Sequence, residues 1–166
     1  MQDPSTSLSN RVELRTASPE DEEFLRLLYF SLRDDLSAMF SDRAQLEQML
    51  LIQYLGQKQT YEREFPAATH DIILLDGEPV GRLLIDRRPD VILGVDLALL
   101  PTSRNLGIGT YVLNCLFDEA ADRCLPFLLS VVRSNPAIRL YERLGCRADG
   151  GNATHLFMRW QRGKEA

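Results

Sequence analysis

The sequence predicts one mixed α/β domain in which helices pack on a single sheet. One observation behind this prediction is that the spacing of apolar residues changes repeatedly between the helix and strand periods, in the order β-α-α-β-β-β-α-β-α-β-β. The other is size and composition. A chain of 166 residues, 45% hydrophobic and 26% charged, can bury one core without disulfides and is short for two domains.

The amino-terminal part is predicted to supply one strand and two helices. Residues 1–10 are expected to form a flexible tail, and polar and apolar residues alternate over 11–17 as in a half-buried strand. An N-cap serine, a proline at the first helical position and two acids then favour a helix over about 19–33. A second helical stretch follows over about 41–65, before a proline that stops it.

The middle of the chain is predicted to form a hairpin and then a central strand. Two apolar runs, 71–75 and 80–85, flank an Asp-Gly turn, which is typical of a tight hairpin. Residues 91–100 form a longer and nearly continuous apolar run, as in a strand that is covered on both faces. Asp96 is the one charge that interrupts this run.

The last third of the chain alternates helices and strands. An amphipathic helix is predicted over about 107–123, and a buried strand over 126–132. A short helix over about 135–144 ends at a glycine, and two strands over 146–149 and 153–161 flank a glycine-rich turn. The whole pattern gives about four helices and six or seven strands.

The charge of the chain is acidic overall but unevenly distributed. The net charge is −5, which argues against a general nucleic-acid-binding protein. Residues 1–100 hold 18 acidic and 10 basic residues, whereas residues 101–166 hold 6 acidic and 9 basic ones. The basic final third could seat a small anion, and chance unevenness is the alternative at this stage.

Cysteine and histidine usage argues against a metal enzyme. The three cysteines, Cys115, Cys124 and Cys146, are too few and too widely spaced for a zinc site, and we expect them to be free thiols packed in the core. The two histidines, His70 and His155, form no metal-binding motif. The sequence therefore predicts no metal.

No membrane association is expected from the sequence. No apolar run is long enough to span a bilayer, and the first residues lack the basic and apolar regions of a signal peptide. We therefore expect a cytoplasmic protein, and the excess of arginine over lysine hints at a GC-rich bacterial genome.

The loop after the central strand is the most informative segment. It carries Arg104, Gly107 and Gly109 and leads directly into the amphipathic helix. Unpaired amides at a helix N-terminus and an arginine suit a phosphate, and glycines let the backbone approach it. A Walker loop is excluded because the lysine is missing, and a Rossmann fingerprint because Val112 stands where its third glycine belongs. A purely structural turn remains open on this loop alone.

A second motif resolves that choice. The spacing Arg104-x-x-Gly107-x-Gly109, followed after one strand by Asn135 to Cys146 with the pattern Asn-x-Ala-x-x-x-Tyr-x-x-x-Gly-Cys, resembles the GNAT superfamily of acetyl-CoA-dependent N-acetyltransferases. The family usually has an aromatic residue where Cys146 stands, which is a change in packing.

The resemblance covers residues 11–161, with 162–166 as a carboxyl-terminal tail. It implies a mixed, mostly antiparallel sheet that splays open beside the central strand, with acetyl-CoA lying in the gap. It also leaves room for a homodimer, which is common among members.

The resemblance assigns the cofactor contacts residue by residue. The pantetheine would pair with the central strand and accept a hydrogen bond from Asn135, and the pyrophosphate would meet the loop amides. The short helix over about 135–144 would lie near the coenzyme. These expected cofactor-binding residues are Leu97, Ala98, Leu99, Leu100, Arg104, Asn105, Leu106, Gly107, Ile108, Gly109, Thr110, Asn135, Ala137, Leu140 and Arg143.

The expected chemistry is direct attack of an amine on the thioester. Tyr141 stands where the family places a phenolic general acid for the leaving thiolate. The alternative is a purely structural role, with the ring packed against the core. Asp96 is the candidate general base, because it is a carboxylate inside the central strand. Its alternative role is structural, as a partner of the backbone or of an arginine such as Arg82.

The acceptor is the least defined part of the prediction. Gln57, Tyr61 and Glu64, on the second helical stretch, could line its pocket, or could form a solvated helix face. A small primary amine or a polyamine is the preferred acceptor, since the amino-terminal two-thirds are acidic. The alternatives are a protein N-terminus or lysine, and a non-catalytic acyl-CoA-binding sensor.

Overall fold

A seven-stranded sheet with the order β1-β2-β3-β4-β5-β7-β6 forms the centre of the computed structural model, which describes residues 8–163. The strands are β1 (Val12–Thr16), β2 (Thr69–Leu75), β3 (Glu78–Arg87), β4 (Ile92–Leu99), β5 (Phe127–Val132), β6 (Arg147–Gly151) and β7 (His155–Trp160). The helices with complete bounds are α1 (Glu22–Ser31), α2 (Arg43–Glu64), α3 (Ile108–Asp122) and α4 (Ile138–Arg143), with 3-10 turns at Pro19–Asp21, Asp34–Met39 and Pro101–Ser103.

The predicted fold class and element order are confirmed. The differences lie at element ends. Asp76 and Gly77 alone form the hairpin turn, both with positive φ, so β3 already begins at Glu78. The short helix α4 starts later than expected, because the Asn135 side chain accepts a hydrogen bond from the amide of Ala137 at 2.9 Å and so shapes a turn first.

The central strand β4 pairs very differently with its two neighbours. It is antiparallel to β3 along most of its length, whereas its parallel pairing with β5 is limited to Ile92, Leu93 and Gly94. Opposite β3, the register shifts so that Val95 is the extra residue of a bulge. Beyond the bulge β4 and β5 separate, which is the expected splay beside the central strand.

Gly94 lies at the point where the two strands separate. A Cβ built on it would lie 2.7 Å from the Phe127 ring, so only glycine lets β4 approach β5 this closely. The Phe127 ring in turn packs edge-on against Phe117 of α3, and Phe117 stacks on Trp160 of β7. The short pairing therefore rests on a dense aromatic cluster.

Two apolar clusters hold the helices on the sheet. The main core lies between the sheet and α3 and includes Ile92, Ile108, Val112 and Phe127. The smaller cluster lies under α1 and α2 and consists of Leu25, Tyr29, Tyr54, Ile72 and Leu74. The sheet is thus covered on both faces, as the continuous apolar run of β4 predicts.

The cysteines do not all lie where they were predicted. Of the cysteines, only Cys146 is buried. The core placement of Cys115 and Cys124 was wrong, because both are exposed, and Cys124 lies beyond the end of α3 with a φ of 56°.

Of the predicted amino-terminal tail, Leu8 packs against the main core, and residues 1–7 lie outside the described part. No helix within residues 8–163 is long and apolar enough to cross a membrane.

Candidate active site

The loop before α3 presents a row of unpaired backbone amides. Asn105 and Gly107 both have positive φ, 59° and 84°, which turns successive N–H groups toward one side. Within residues 8–163, the amides from Asn105 to Thr110 donate no hydrogen bond, because the first backbone bond of α3 runs from Tyr111 to Gly107. Such a row of donors at the start of a 15-residue helix is suited to a phosphate.

The edge of β4 that faces the gap is also free to pair. Leu100 donates its amide to the Val80 carbonyl of β3 at 2.8 Å, so Ala98 and Leu100 direct their backbone groups toward β3. The alternate residues Leu97 and Leu99 therefore direct theirs to the opposite side, where β5 has already separated. The amide of Leu100, one of the expected cofactor-binding residues, is therefore held by β3.

Residues from three of the expected cofactor elements come together beside this edge. A Cβ built on Gly109 would lie 3.8 Å from the Leu140 side chain of α4 and 3.9 Å from the Leu99 side chain of β4. The loop, the central strand and α4 therefore meet at one place. Arg143 differs, because it is exposed and lines neither of the two cavities described below.

A cavity of about 320 Å³ fills the split between β4 and β5. Its wall contains the bulge residues of β4, the separating end of β5, two helix residues of α2 and the start of the turn before α4. The polar and ionisable residues on this wall are Arg33, Gln57, Tyr61, Asp96, Ser130, Asn135, Tyr141 and His155. The candidate acid, the candidate base and two candidate acceptor residues thus share one cavity.

Tyr141 lies on this cavity wall with a free hydroxyl. No hydrogen bond from another residue within 8–163 reaches its oxygen, although the side chain packs against the main core. Burial raises the pKa of Tyr141 to about 12, and the negative charge of Asp96 adds to the shift. The phenol therefore stays protonated near neutral pH, which a proton donor requires.

Asp96 is bound by a buried arginine from the neighbouring strand. Arg82 of β3 donates from Nε to Oδ2 of Asp96 at 2.9 Å, and its Nη2 donates to the same oxygen. The structural alternative for Asp96 is therefore present in the fold. It does not remove the carboxylate from the site, because Asp96 still lines the cavity and its side chain is 23% exposed.

Two of the expected acceptor residues hold Arg82 in turn. Gln57 accepts a hydrogen bond from Arg82 Nη2 at 3.1 Å, and the guanidinium carbon lies 5.4 Å from the centroid of the Tyr61 ring. Burial, followed by the charge of Asp96, raises the pKa of Tyr61 to about 12, so its hydroxyl is also neutral.

A second cavity, of about 540 Å³, adjoins the first on the α2 side of the sheet. The two cavities share part of their lining, because Tyr61, Ser130 and His155 line both of them. Glu64 and Asp149 supply acidic groups to the second one, and Phe65 and Phe157 supply aromatic walls. Glu64 thus lies beside the cleft, and its role in acceptor binding stays a prediction.

Several polar residues of this site were not predicted from the sequence as functional candidates, among them Arg33, Ser130, Arg82 and His155. Arg82 appeared only as an alternative partner of Asp96, although an arginine inside an apolar strand was a readable signal. His155 was assessed only as a possible metal ligand, and nothing in its local sequence indicates a place in the active site. It reaches the cavities because β7 pairs with β5, where His155 lies opposite Val132.

Together, the split sheet, the free edge of β4 and the amide-rich loop define a transferase that uses an acyl-CoA. A family model described as Acetyltransferase (GNAT) family matches residues 29–146. The chain therefore belongs to the GNAT family and is an acetyl-CoA-dependent acetyltransferase.

Solved structures show the same fold at low sequence identity. The PaiA N-acetyltransferase from Thermoplasma acidophilum, in complex with coenzyme A, is 17% identical with a TM-score of 0.68, over 90% of this chain and 98% of that chain. An acetyltransferase from Thermus thermophilus is 18% identical with a TM-score of 0.67, over 91% and 97%. The ribosomal-protein-S18-alanine N-acetyltransferase from Escherichia coli is 17% identical with a TM-score of 0.65, over 93% and 96%. A search of curated proteins finds no match to this sequence.

Proposed function

We propose that the protein transfers an acetyl group from acetyl-CoA to a primary amine by direct attack of the amine on the thioester. One observation carries this proposal. The split between β4 and β5 joins a free strand edge, the Tyr141 hydroxyl and the Asp96 carboxylate in one cavity.

The cosubstrate lies along this split. The pantetheine arm pairs with the free backbone groups of Leu97 and Leu99, beside Ala98, and the pyrophosphate accepts hydrogen bonds from the loop amides. Leu140 flanks the coenzyme from α4 and Ala137 from the turn before it, the side-chain amide nitrogen of Asn135 is available for the pantetheine, and Arg104 and Arg143 add positive charge nearby. The amides that meet the pyrophosphate are those of Asn105, Leu106, Gly107, Ile108, Gly109 and Thr110.

The reaction needs three proton transfers. The acceptor ammonium first gives a proton to the Asp96 carboxylate, directly or through water, and becomes a nucleophile. Its nitrogen then bonds to the thioester carbon, and the carbon–sulfur bond breaks after a tetrahedral oxyanion that backbone N–H groups can stabilise. Tyr141 donates its proton to the leaving thiolate. The nitrogen loses its second proton as the amide forms, directly or through water to the Tyr141 phenolate, and Asp96 releases its proton to solvent.

The acceptor enters from the second cavity. Glu64 and Asp149 give its walls a negative character, and the aromatic side chains of Tyr61, Phe65 and Phe157 suit an alkyl chain that ends in a cation. This combination favours a small cationic amine such as a polyamine. An amine of a protein N-terminus or of a lysine is the second candidate, because the similar Escherichia coli enzyme is an N-acetyltransferase of an alanine in ribosomal protein S18.

A thiol-release assay with acetyl-CoA tests the proposal. The panel contains alkyl monoamines, polyamines, amino acids and basic peptides, and the product is identified by its mass. We expect release of free coenzyme A with diamines or polyamines. Release with peptides alone would identify the second candidate. Tight acetyl-CoA binding without release on any amine would contradict catalysis and support a sensor.

Two further expectations stay predictions. The cytoplasmic location follows from the supply of acetyl-CoA and from the free thiols, and fractionation of the source cells measures it. The homodimer expected from the resemblance is measured by sedimentation of the purified protein.

A further inference from the structure

The guanidinium of Arg82 binds only one of the two oxygens of Asp96. Both of its bonds to the carboxylate end on Oδ2, and the remaining contact of Nη2 goes to Gln57. No donor from residues 8–163 reaches Oδ1 of Asp96. Arginine and carboxylate often pair through two parallel bonds that occupy both carboxylate oxygens. Here both bonds end on Oδ2, so Oδ1 is left without a donor from Arg82.

The surroundings of Arg82 fix this arrangement. The arginine is 8% exposed, its Nη2 is shared between Asp96 and Gln57, and the Tyr61 ring lies near its guanidinium. Arg82 and Asp96 lie on the same face of neighbouring strands, since their Cα partners in the β3–β4 ladder are Ala98 and Leu84. The carboxylate therefore cannot change partner without breaking a buried network.

We propose that Arg82 is a positioning residue for acetyl transfer, which holds the Asp96 carboxylate through Oδ2 and leaves its Oδ1 to accept the proton of the attacking amine. This inference rests on the proposed function. In the step itself the ammonium N–H bond breaks, an O–H bond forms on Oδ1, and the freed electron pair attacks the thioester carbon. Arg82 exchanges no proton and touches no reacting atom.

The charge of Arg82 makes this role testable through pH. In general, removal of an adjacent cation raises the pKa of a carboxyl group by about one to three. The activity of a variant without the cation should then begin at higher pH. The other titratable or charged groups that face Asp96 or share its cavity are His70 of β2, Tyr61 of α2, Tyr141 of α4, His155 of β7 and Arg33.

A double-mutant cycle separates positioning from a merely structural role. Four proteins are compared over a range of pH: wild type, Arg82→Gln, Asp96→Asn and the double variant. We expect Arg82→Gln to lower kcat/KM about tenfold at neutral pH and to move the acidic limb of the profile upward by about one unit or more. We expect the double variant to match Asp96→Asn within about twofold, because Arg82 acts through Asp96. Multiplicative losses with an unmoved acidic limb would overturn the proposal.

Arg82→Lys is the second variant, in case the glutamine variant does not fold. A lysine keeps the charge but has no planar fork to hold the carboxylate in one rotamer. We expect kcat/KM to fall several-fold while the acidic limb stays at its wild-type pH. An acidic limb that moves upward in the lysine variant would contradict the role assigned to the charge. Calorimetric acetyl-CoA affinity reports on the integrity of the fold in each variant.

A readout without turnover keeps this inference separate from the proposed function. In protein labelled with ¹³C at aspartate carboxyls, the Asp96 signal is followed by NMR during a pH titration. We expect its midpoint to lie at higher pH in Arg82→Gln than in wild type. The same midpoint in both proteins would overturn the inference even if the enzyme is active. Absence of turnover on every amine, with the shift present, would contradict the proposed function alone.

Discussion

Tyr141 combines a partly buried ring with a hydroxyl that has no hydrogen-bond partner within residues 8–163 and lies on the wall of the cleft. The raised pKa of about 12 keeps the group neutral, and a neutral phenol next to a thiolate can only donate. The side chain therefore fits a proton donor better than a core residue.

Replacement of Tyr141 by phenylalanine tests this at the level of one atom. We expect kcat to fall about 100-fold, because the thiolate leaves without a positioned acid. Acetyl-CoA affinity should stay within about twofold, since the ring is kept. Steady-state kinetics and calorimetry measure the two quantities. Tyr111→Phe, a partly buried tyrosine that lines neither cavity, is the matched control and should leave both unchanged.

The histidine of β2 makes stability depend on pH. His70 has a buried Nε2 with no hydrogen-bond partner among residues 8–163, and burial lowers its pKa below the ordinary 6.5, with the positive charge of Arg82 adding to the shift. The unfolded chain therefore takes up this proton at higher pH than the folded one. Folded-state stability is fully present above pH 6.5 and declines as the pH falls below it.

We expect the free energy of unfolding of wild type to fall more steeply between about pH 6.5 and 5 than that of His70→Gln. Urea unfolding at a series of pH values measures both slopes. Parallel slopes would show that the imidazole is protonated equally in the folded and unfolded states.

At the level of elements, the loop before α3 depends on its left-handed positions. Gly107 has a φ of 84°, and a Cβ there would also lie 3.2 Å from the Leu8 side chain. A branched side chain at this position would change the path of the loop and the direction of its amides. The loss should therefore appear first in the binding of the pyrophosphate.

Gly107→Val is expected to weaken acetyl-CoA binding by about tenfold or more, because a strained backbone costs about 1–3 kcal/mol and about 1.4 kcal/mol corresponds to tenfold in affinity. Calorimetric titration measures the affinity. Gly77→Val is the matched control, since Gly77 has the same φ of 84° with nothing within 4 Å of its Cβ. The control should lose stability but keep its affinity. Equal affinities for Gly107→Val and wild type would refute the pyrophosphate assignment.

The elements also show how far a sequence can be interpreted. Period and turn chemistry predict the order of every numbered helix and strand, because most of them have an apolar face against the core and the others are bounded by turn residues. They do not predict the bulge at Val95, since the run 91–100 looks uniform in hydrophobicity. That bulge places Asp96 opposite Leu84, on the same face as Arg82, so the network around Arg82 depends on a register that no local pattern encodes.

The candidate site was predictable where the chain uses backbone groups and short motifs. Two glycines and an arginine before a helix identify an anion loop, whatever the rest of the chain does. Its side-chain partners are different, because they come from strands and helices far apart in sequence. His155 enters the site only through the pairing of β7 with β5, and Gln57 only through the packing of α2 over the sheet.

The molecule as a whole is two sheet segments that meet along a short parallel seam of three residue pairs. A pantetheine that pairs with β4 would extend this contact, so cosubstrate binding should stabilise the native state. At about 100 times the Kd, the gain is about 2.7 kcal/mol, which raises Tm by about 5–10 °C for a chain of this size. Scanning calorimetry with and without acetyl-CoA measures the shift.

Hydrogen exchange locates the same effect. The amides of Leu97, Leu99 and residues 105–110 should gain protection with acetyl-CoA, whereas the β1–β2 pair should change little. Uniform protection across the sheet would argue that the ligand binds elsewhere.

The narrow seam also has a mechanical meaning. A force applied across the sheet, from β1 on one edge to β6 on the other, must pass between β4 and β5 through Ile92, Leu93 and Gly94 or through the helices that cover them. The empty enzyme should therefore yield first along this line, while the antiparallel sheets on either side remain intact. A bound cosubstrate would reinforce the contact between β4 and β5, so the force at which a single molecule unfolds would report whether the cleft is occupied.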